Sequence, residues 1–114
     1  PTIVLKDGEI SLVTGSPGGT TIITSVYQSI LNTLAFGMSA QEAVDAARFH
    51  HQLLPVNQIR HHQGLATETK KQLEAKGYNL RSRHFGDLHL ILRRGENIEA
   101  ASQKSGRGQA IVIH

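Results

Sequence analysis

The segment Gly15-Ser16-Pro17-Gly18-Gly19 is the part of this sequence whose residue types and spacing could do chemistry. It lies between a strand-like run and the start of a helical pattern. Consecutive glycines let the main chain approach a ligand without obstruction by a Cβ atom. Main-chain N–H groups that precede a helix lack partners inside it, so they can bind an anion or a developing oxyanion. A plain tight turn into a helix would use the same residues, so composition alone leaves both interpretations open.

The glycine segment matches none of the common phosphate or nucleophile motifs. It lacks the Lys-Ser/Thr pair that follows the second glycine of a P-loop, and it does not fit the dinucleotide fingerprint. Ser16 stands in Gly-Ser-Pro-Gly-Gly rather than Gly-x-Ser-x-Gly, which argues against a nucleophile elbow. We therefore expect Ser16 and Pro17 to shape the loop, or Ser16 to donate a hydrogen bond to a substrate.

Histidine is the other residue type that invites a chemical hypothesis, because two adjacent pairs occur, His50-His51 and His61-His62. Neighbouring residues point in different directions and rarely bind one ion together. The chain also has no cysteine, which excludes thiolate sites and disulfides. We predict no metal site, and we expect His50 and His51 to cap or brace the end of the second predicted helix.

The charge of the chain is basic but dispersed. The formal net charge is +3, and no run of lysine or arginine is longer than two residues. The one concentration comprises Arg81, Arg83, His84, Arg93 and Arg94. A solvated basic face explains this pattern without a nucleic-acid partner, so nucleic-acid binding is not predicted.

Periodicity predicts the elements that must position the glycine segment. Asp7-Gly8 between two strand-like runs indicates a hairpin, and Ile23, Tyr27 and Leu34 lie on one face of an amphipathic helix. Ser39 and Glu42 form a capping-box pattern that opens a second helix. The expected elements are strands Thr2 to Lys6 and Glu9 to Thr14, a helix from Thr20 to Gly37 and a second helix from Ser39, followed by an irregular stretch from Arg48 to Pro55 and a polar region to Gly64 to which no element is assigned. A third helix is expected from Thr67 to Lys76, then strands Tyr78 to His84, Leu88 to Arg93 and Asn97 to Ser102, with turns at Gly86-Asp87 and Gly95-Glu96.

This order of elements predicts the α+β class, with helices packed on an antiparallel β-sheet. Hydrophobic residues make up 39% of the chain, which suits a globular fold, and we expect residues 1–114 to form a single domain. No apolar run of about 18 residues is present, so we predict no transmembrane helix.

Several segments together resemble the γ-glutamyltranspeptidase family in residue type, order and spacing. The most specific are Thr14-Gly15-Ser16-Pro17-Gly18-Gly19-Thr20 and Arg48-Phe49-His50-His51-Gln52. Gln103-Lys104-Ser105 depart from the family, which usually carries an acidic residue, proline and arginine there. The other matching segments are Ile22-Ile23-Thr24, Phe36-Gly37-Met38, Glu42-Ala43, Leu54-Pro55, Leu73-Glu74-Ala75-Lys76-Gly77 and Ala101-Ser102.

The resemblance implies an N-terminal nucleophile (Ntn) hydrolase with a layered fold. In this family a precursor cleaves itself into a large and a small subunit. The new N-terminal threonine attacks a γ-glutamyl amide such as glutathione, and its α-amino group acts as the base. The γ-glutamyl group then passes to water, an amino acid or a peptide. The resemblance places the oxyanion hole at the N–H groups of Gly18 and Gly19.

The same resemblance assigns residues 1–114 to the C-terminal part of the small subunit. The threonine nucleophile then lies outside this chain, and we expect the chain alone to be inactive. The implied partners are the large subunit, the N-terminal half of the small subunit and the γ-glutamyl substrate; no cofactor is implied. A truncated sheet exposes apolar surface, so self-association is expected. The implied location of the parent is periplasmic or secreted, although no signal peptide is visible.

Two alternatives remain open from the sequence. One is a related Ntn acylase, similar to the cephalosporin acylases, which keeps the chemistry and changes the substrate. The other is a non-catalytic module that binds anions or nucleic acid. A threonine at the family spacing upstream would favour either enzyme, whereas nucleic-acid affinity that falls steeply with salt would favour the module.

Overall fold

The computed structural model describes residues 1–114 and contains seven β-strands, three α-helices and one π-helical turn. The chain divides into two units, which are described separately: unit 1 is residues 1–45 with 86–114, and unit 2 is residues 46–85. In chain order the elements are β1 (Thr2–Lys6), β2 (Glu9–Gly15), α1 (Thr21–Ile30), the π-helical turn (Leu31–Ala35), α2 (Ala40–Asp45), β3 (Arg48–His51), β4 (Gln58–His62), α3 (Thr67–Ala75), β5 (Asn79–Ser82), β6 (His89–Arg94) and β7 (Asn97–Ser102).

Unit 1 is built on a four-stranded antiparallel sheet with the strand order β1-β2-β6-β7. The predicted hairpin between β1 and β2 is confirmed. Its turn residues Asp7 and Gly8 have φ angles of 52° and 81°, as a type I′ turn requires. The segment containing the glycine loop follows β2, an inner strand held on both sides by hydrogen-bonded neighbours.

The core of unit 1 lies between one face of this sheet and the helices. Leu12 of β2 and Leu90 and Leu92 of β6 are at most 2% exposed, and Ala43 and Val44 of α2 are fully buried in the same cluster. Alternate residues of a strand point to the same face, which explains why these leucines meet the helix together. The α+β class with helices packed on an antiparallel sheet is confirmed for this unit.

Helix α1 lies where the periodicity predicts it, but its apolar face is not the face that is buried. Ile23 and Tyr27 are 77% and 60% exposed, whereas the buried positions are Thr21, Ser25, Ser29 and Thr33. These small side chains recur every four residues. We infer that they let the helix approach the sheet closely. The hydroxyl groups of Thr21, Ser29 and Thr33 donate to main-chain carbonyls, whereas that of Ser25 is buried without a hydrogen-bond partner. The Oγ1 atom of Thr33, for example, donates to Ser29 O at 2.9 Å.

The boundary between α1 and α2 follows the predicted signals. Gly37 has a φ of 70°, the left-handed geometry that ends a helix. The capping box is present, because Ser39 N donates to Glu42 Oε2 at 2.8 Å and Glu42 N donates to Ser39 Oγ at 3.2 Å. The hydrogen bond from Ser39 N, followed by the one from the Ser39 side chain to the carboxylate, lowers the pKa of the Glu42 carboxyl.

Unit 2 contains a three-stranded sheet with the strand order β3-β4-β5. Strands β3 and β4 are antiparallel, and β4 and β5 are parallel and are joined through α3. The prediction of an irregular stretch from Arg48 to Pro55 was wrong, because β3 lies there, and β4 lies in the polar region to Gly64 to which no element was assigned. Their polar composition hides the strands. His50 and His61 are 4% and 6% exposed, so burial in this sheet is carried largely by histidine rather than by aliphatic residues.

Two further expectations differ from the structure. His50 and His51 lie on β3 and do not cap α2, which ends earlier at Asp45; the His50 ring meets the ring of Phe85 edge-on at 6.4 Å between centroids. The turn expected at Gly86-Asp87 does not connect paired strands, because β5 and β6 belong to different sheets. No helix combines the length and apolar character needed to cross a membrane.

Candidate oxyanion site

The glycine loop, residues 15–20, connects β2 directly to the first turn of α1. Gly18 has a φ of 139° and Gly19 a φ of 58°. The first value is outside the range that L-residues adopt without strain, and the second is the left-handed helical region. The φ angle at position 18 therefore favours glycine over every other residue.

The two glycines turn their carbonyl groups into the helix. Thr21 N donates to Gly18 O at 3.1 Å, and Ile22 N donates to Gly19 O at 3.2 Å. The Thr21 hydroxyl adds a second donor to Gly18 O at 2.9 Å. The N–H groups of Gly18 and Gly19 have no acceptor in the structure. Two consecutive main-chain donors are thus left unpaired on an exposed loop.

The surroundings of the two glycines differ. A Cβ atom at Gly18 would collide with Oγ1 of Thr21, and it would also lie 3.6 Å from Gly86 N. A Cβ atom at Gly19 would meet no atom within 4 Å. A side chain at position 18 therefore has no room beside Thr21, whereas the space beside Gly19 is open to a ligand.

The electrostatics of the loop favour negative charge. Helix α1 carries no acidic residue in its first turn, so its positive N-terminal end is not neutralised locally. The carboxylate of Asp87 interacts with other groups: its Oδ2 accepts from Arg107 N at 3.2 Å, and its Oδ1, which has no hydrogen-bond partner, lies 3.6 Å from Nε2 of His89. An oxygen that gains negative charge above Gly18 and Gly19 would be stabilised by both N–H groups and by the helix end.

Ser16 holds the shape of the loop. Its hydroxyl donates to Pro17 O at 2.8 Å and accepts from Asp87 N at 3.0 Å. These contacts are those of a loop-shaping residue, as the sequence predicts for Ser16 and Pro17. A hydrogen bond from Ser16 to a substrate stays a prediction.

Asp87, His89 and Ser102 are the neighbours of the loop that the sequence interpretation missed. The Nδ1 atom of His89 lies 3.0 Å from Oγ of Ser102, and its Nε2 faces the 8%-exposed Asp87. Asp87 precedes β6 and His89 is its first residue, and the prediction of a turn at Gly86-Asp87 gave no reason to bring their side chains together. No group of three or more histidine, aspartate or glutamate side chains is arranged to hold a metal ion.

An apolar pocket of about 300 Å³ adjoins the loop. Pro17 and Gly15 line it from the loop, His89 and Ile91 line it from β6, and Val13 lines it from β2. These side chains point away from the helices, so the pocket opens on the outer face of the sheet. The loop therefore has an open, largely apolar space beside it.

Comparison with known proteins gives this arrangement a family context. Residues 1–113 match the family model described as Gamma-glutamyltranspeptidase. The chain is 40% identical over 117 residues to the glutathione hydrolase proenzyme of Pseudomonas aeruginosa, which covers 99% of this chain and 21% of that protein. It superposes on the gamma-glutamyltranspeptidase from Pseudomonas nitroreducens complexed with L-DON with a TM-score of 0.92 and 39% identity, over 100% of this chain and 61% of that one.

A more distant likeness bears on the acylase alternative. The cephalosporin acylase from Bacillus halodurans superposes with a TM-score of 0.83 over 94% of this chain and 21% of that one, at 20% identity. The superposition shows a shared fold, but at this identity it gives no information about the substrate.

Proposed function

This chain belongs to the gamma-glutamyltranspeptidase family, an enzyme family, and from that premise we propose that it is the oxyanion-stabilising part of an enzyme that cleaves γ-glutamyl amides such as glutathione. The γ-glutamyl group passes to water, an amino acid or a peptide. The observation that carries this proposal is the pair of unpaired N–H groups of Gly18 and Gly19 at the start of α1.

The rest of the machinery lies in other segments. The chain spans about a fifth of the length of the P. aeruginosa relative, whose name is that of a proenzyme, and 61% of the P. nitroreducens chain. We assign residues 1–114 to the C-terminal part of the small subunit. The nucleophile is then a threonine at the N-terminus of that subunit, and its α-amino group takes the proton from its hydroxyl group.

The loop acts at two steps of this reaction. When the threonine oxygen attacks the γ-carbonyl carbon, the carbonyl oxygen becomes an oxyanion and accepts hydrogen bonds from Gly18 and Gly19. The amide nitrogen of the leaving group gains a proton and departs, leaving an acyl-enzyme. Water or an amine then attacks the ester, and the same donors stabilise the second oxyanion. Each such donor contributes about 3 kcal/mol to transition-state stabilisation in comparable enzymes, a factor of about 100 in rate.

The outer face of the unit 1 sheet is the surface that another segment of the parent would cover. Ile3, Ile91 and Ile98 are 58%, 48% and 48% exposed, and register places Ile3, Val13 and Ile91 in one row across three strands. An apolar row of this kind on a monomer marks an interface. Its occupant is the remainder of the small subunit, since about two fifths of the P. nitroreducens chain lies outside the matched part.

The outer side of α1 is a second surface of the same kind. Ile22, Ile23, Val26, Tyr27 and Ile30 line an apolar depression of about 340 Å³ together with Thr2 of β1. We propose that the large subunit covers this side. When neither partner is present, the two apolar surfaces favour self-association of the chain.

Release of an aniline from a γ-glutamyl anilide by the longer, self-cleaved protein tests this function. The Gly18→Ala variant should lose about 100-fold or more in kcat, because its Cβ collides with Oγ1 of Thr21 and φ near 139° is strained for alanine. Gly8→Ala is the matched control: it also places alanine at a positive φ and its Cβ meets no atom within 4 Å, but it lies in the β1–β2 turn outside the loop, so a loss below tenfold is expected.

Three results would contradict parts of the proposal. No release by a folded, self-cleaved parent would mean that the enzyme acts on another acyl group. Equal activity of the two alanine variants would remove the loop from the oxyanion role. Turnover by the 114-residue chain alone would show that the nucleophile lies within it.

A further inference from the structure

Three arginines of unit 2 lie together on one side of its sheet. Arg60 of β4 is paired in register with Arg81 of β5, and Arg83 follows Arg81 by two residues. In a parallel pair, residues in register present their side chains on the same face, and so do residues two apart. These three arginines and Gln58 line one cavity of about 340 Å³.

None of the three guanidinium groups forms an ion pair with the chain. The five ion pairs of the structure all lie in unit 1, where Arg93, for example, binds Glu9 at 2.8 Å. Unit 2 contains seven lysines and arginines but only two acidic residues, Glu68 and Glu74, and both lie on α3. The arginine face therefore has no carboxylate on its own strands to neutralise it.

The placement of these arginines carries an electrostatic cost. Like charges opposite each other on neighbouring strands destabilise a sheet, and Arg60 and Arg81 occupy such positions. A fourth arginine, Arg48 of β3, is 1% exposed and donates to Phe85 O at 3.1 Å. Positive charge is thus concentrated in this small sheet, and a bound anion would relieve the repulsion.

The pKa of His62 is lowered in part by the positive charge in this sheet. His62 is 4% exposed on β4, it shares a hydrogen bond with the main chain of Arg83, and its ring meets that of His84 at 4.6 Å. Burial, and then the charges of Arg48 and His84, lower the pKa of His62 to about 4. The hydrogen bond with Arg83 raises the pKa and only partly offsets these causes.

We propose that the arginine face, formed by Gln58, Arg60, Arg81 and Arg83, is a binding site for a phosphate-bearing anion. Each guanidinium group presents parallel N–H donors that match two oxygens of a phosphate, and Gln58 adds an amide donor. A phosphate group with two or more negative charges can engage several arginines at once, whereas a single carboxylate satisfies one. The arginine face belongs to unit 2, whereas the oxyanion loop belongs to unit 1.

Calorimetric titration of the chain with pyrophosphate tests this site. Saturable binding at one site per chain is expected, and affinity should weaken about tenfold or more in Arg60→Gln and in Arg81→Gln, because charge-assisted hydrogen bonds are lost. Lys71→Gln is the matched control, since it removes the same charge from α3 of the same unit, and it should change affinity less than threefold. Equal weakening by all three variants would overturn a specific site.

The ring resonances of His62 give an independent readout. Bound pyrophosphate should raise the pKa of His62, because a nearby anion favours the protonated ring; the resonances of His114 should not respond. Separate titrations with inorganic phosphate, pyrophosphate and adenosine monophosphate distinguish binding of a free phosphate from binding of a phosphate ester. Binding only to an oligonucleotide, or no binding of any of the three anions at low salt, would overturn the proposal.

Discussion

The Oγ atom of Ser16 accepts a hydrogen bond of 3.0 Å from the main-chain N–H of Asp87, across 71 residues of sequence. Ser16 belongs to the glycine loop, and Asp87 immediately precedes the buried Leu88 and strand β6. The geometry of Gly18 and Gly19 is therefore fixed at two ends, by the first turn of α1 and by this long-range hydrogen bond. Catalytic activity that depends on the loop should therefore fall when either the contact with α1 or the hydrogen bond to Ser16 is lost.

The Ser16→Ala variant tests the long-range hydrogen bond. It leaves Asp87 N without its acceptor, and such a loss in a partly buried place costs about 1–2 kcal/mol of unfolding free energy. Urea unfolding of the chain should show this loss, and kcat of the longer enzyme should fall with little change in KM. Ser82→Ala, at an exposed position of β5, is the control and should change neither quantity. Stability equal to that of the unaltered chain would show that Ser16 does not hold the loop.

The outer sheet face can be tested by its effect on association. Replacement of the half-exposed Ile91 by lysine removes an apolar group from that face without touching the core. In sedimentation experiments the 114-residue chain should self-associate, and Ile91→Lys should shift it toward monomer. Assembly with the rest of the parent should weaken in the same variant. Unchanged association in a folded Ile91→Lys protein would locate the interface elsewhere.

The buried His62 predicts a pH dependence of stability. Its pKa of about 4 in the folded chain lies below the ordinary 6.5, so the unfolded chain binds the proton first as pH falls. The stability that neutral His62 contributes is complete above pH 6.5 and is lost as pH falls toward 4. For one group the slope reaches at most about 1.4 kcal/mol per pH unit.

Urea unfolding at pH 7.5, 6 and 5 measures this slope. The His62→Gln variant cannot titrate and should show a shallower decline than the unaltered chain. The series stays at pH 5 or above, because the carboxyl of Glu42, whose pKa is lowered by its hydrogen bonds with Ser39, titrates below that range. Identical slopes in the two proteins would mean that His62 is not held neutral.

The sequence predicts those elements that are set by local chemistry. The turn at Asp7-Gly8 and the cap formed by Ser39 and Glu42 depend on a few adjacent residues, and both are present. The glycine loop also follows from local composition, since no other residue tolerates the backbone of Gly18. Composition alone does not distinguish an oxyanion-binding loop from a plain tight turn. The resemblance to the family favours the oxyanion-binding loop.

The features of the fold that the sequence does not predict depend on the burial of polar residues and on contacts between residues far apart in sequence. Helix α1 buries Ser25 and Ser29 and exposes Ile23, the reverse of what an amphipathic pattern suggests for an isolated domain. Strands β3 and β4 bury histidines, so they lack the aliphatic alternation that marks a strand. The contact of Asp87 with Ser16 joins positions far apart in sequence, and nothing local signals it.

The central claim is that the N–H groups of Gly18 and Gly19 stabilise the oxyanion, and the most direct test replaces one of them by oxygen. Glycolic acid at position 19 of the longer enzyme converts the N–H into an ester oxygen and needs no new side chain. We expect kcat for γ-glutamyl anilide release to fall about 100-fold, with KM and folding little changed. An ester variant that folds, self-cleaves and retains the full kcat would show that the N–H group of Gly19 does not stabilise the oxyanion.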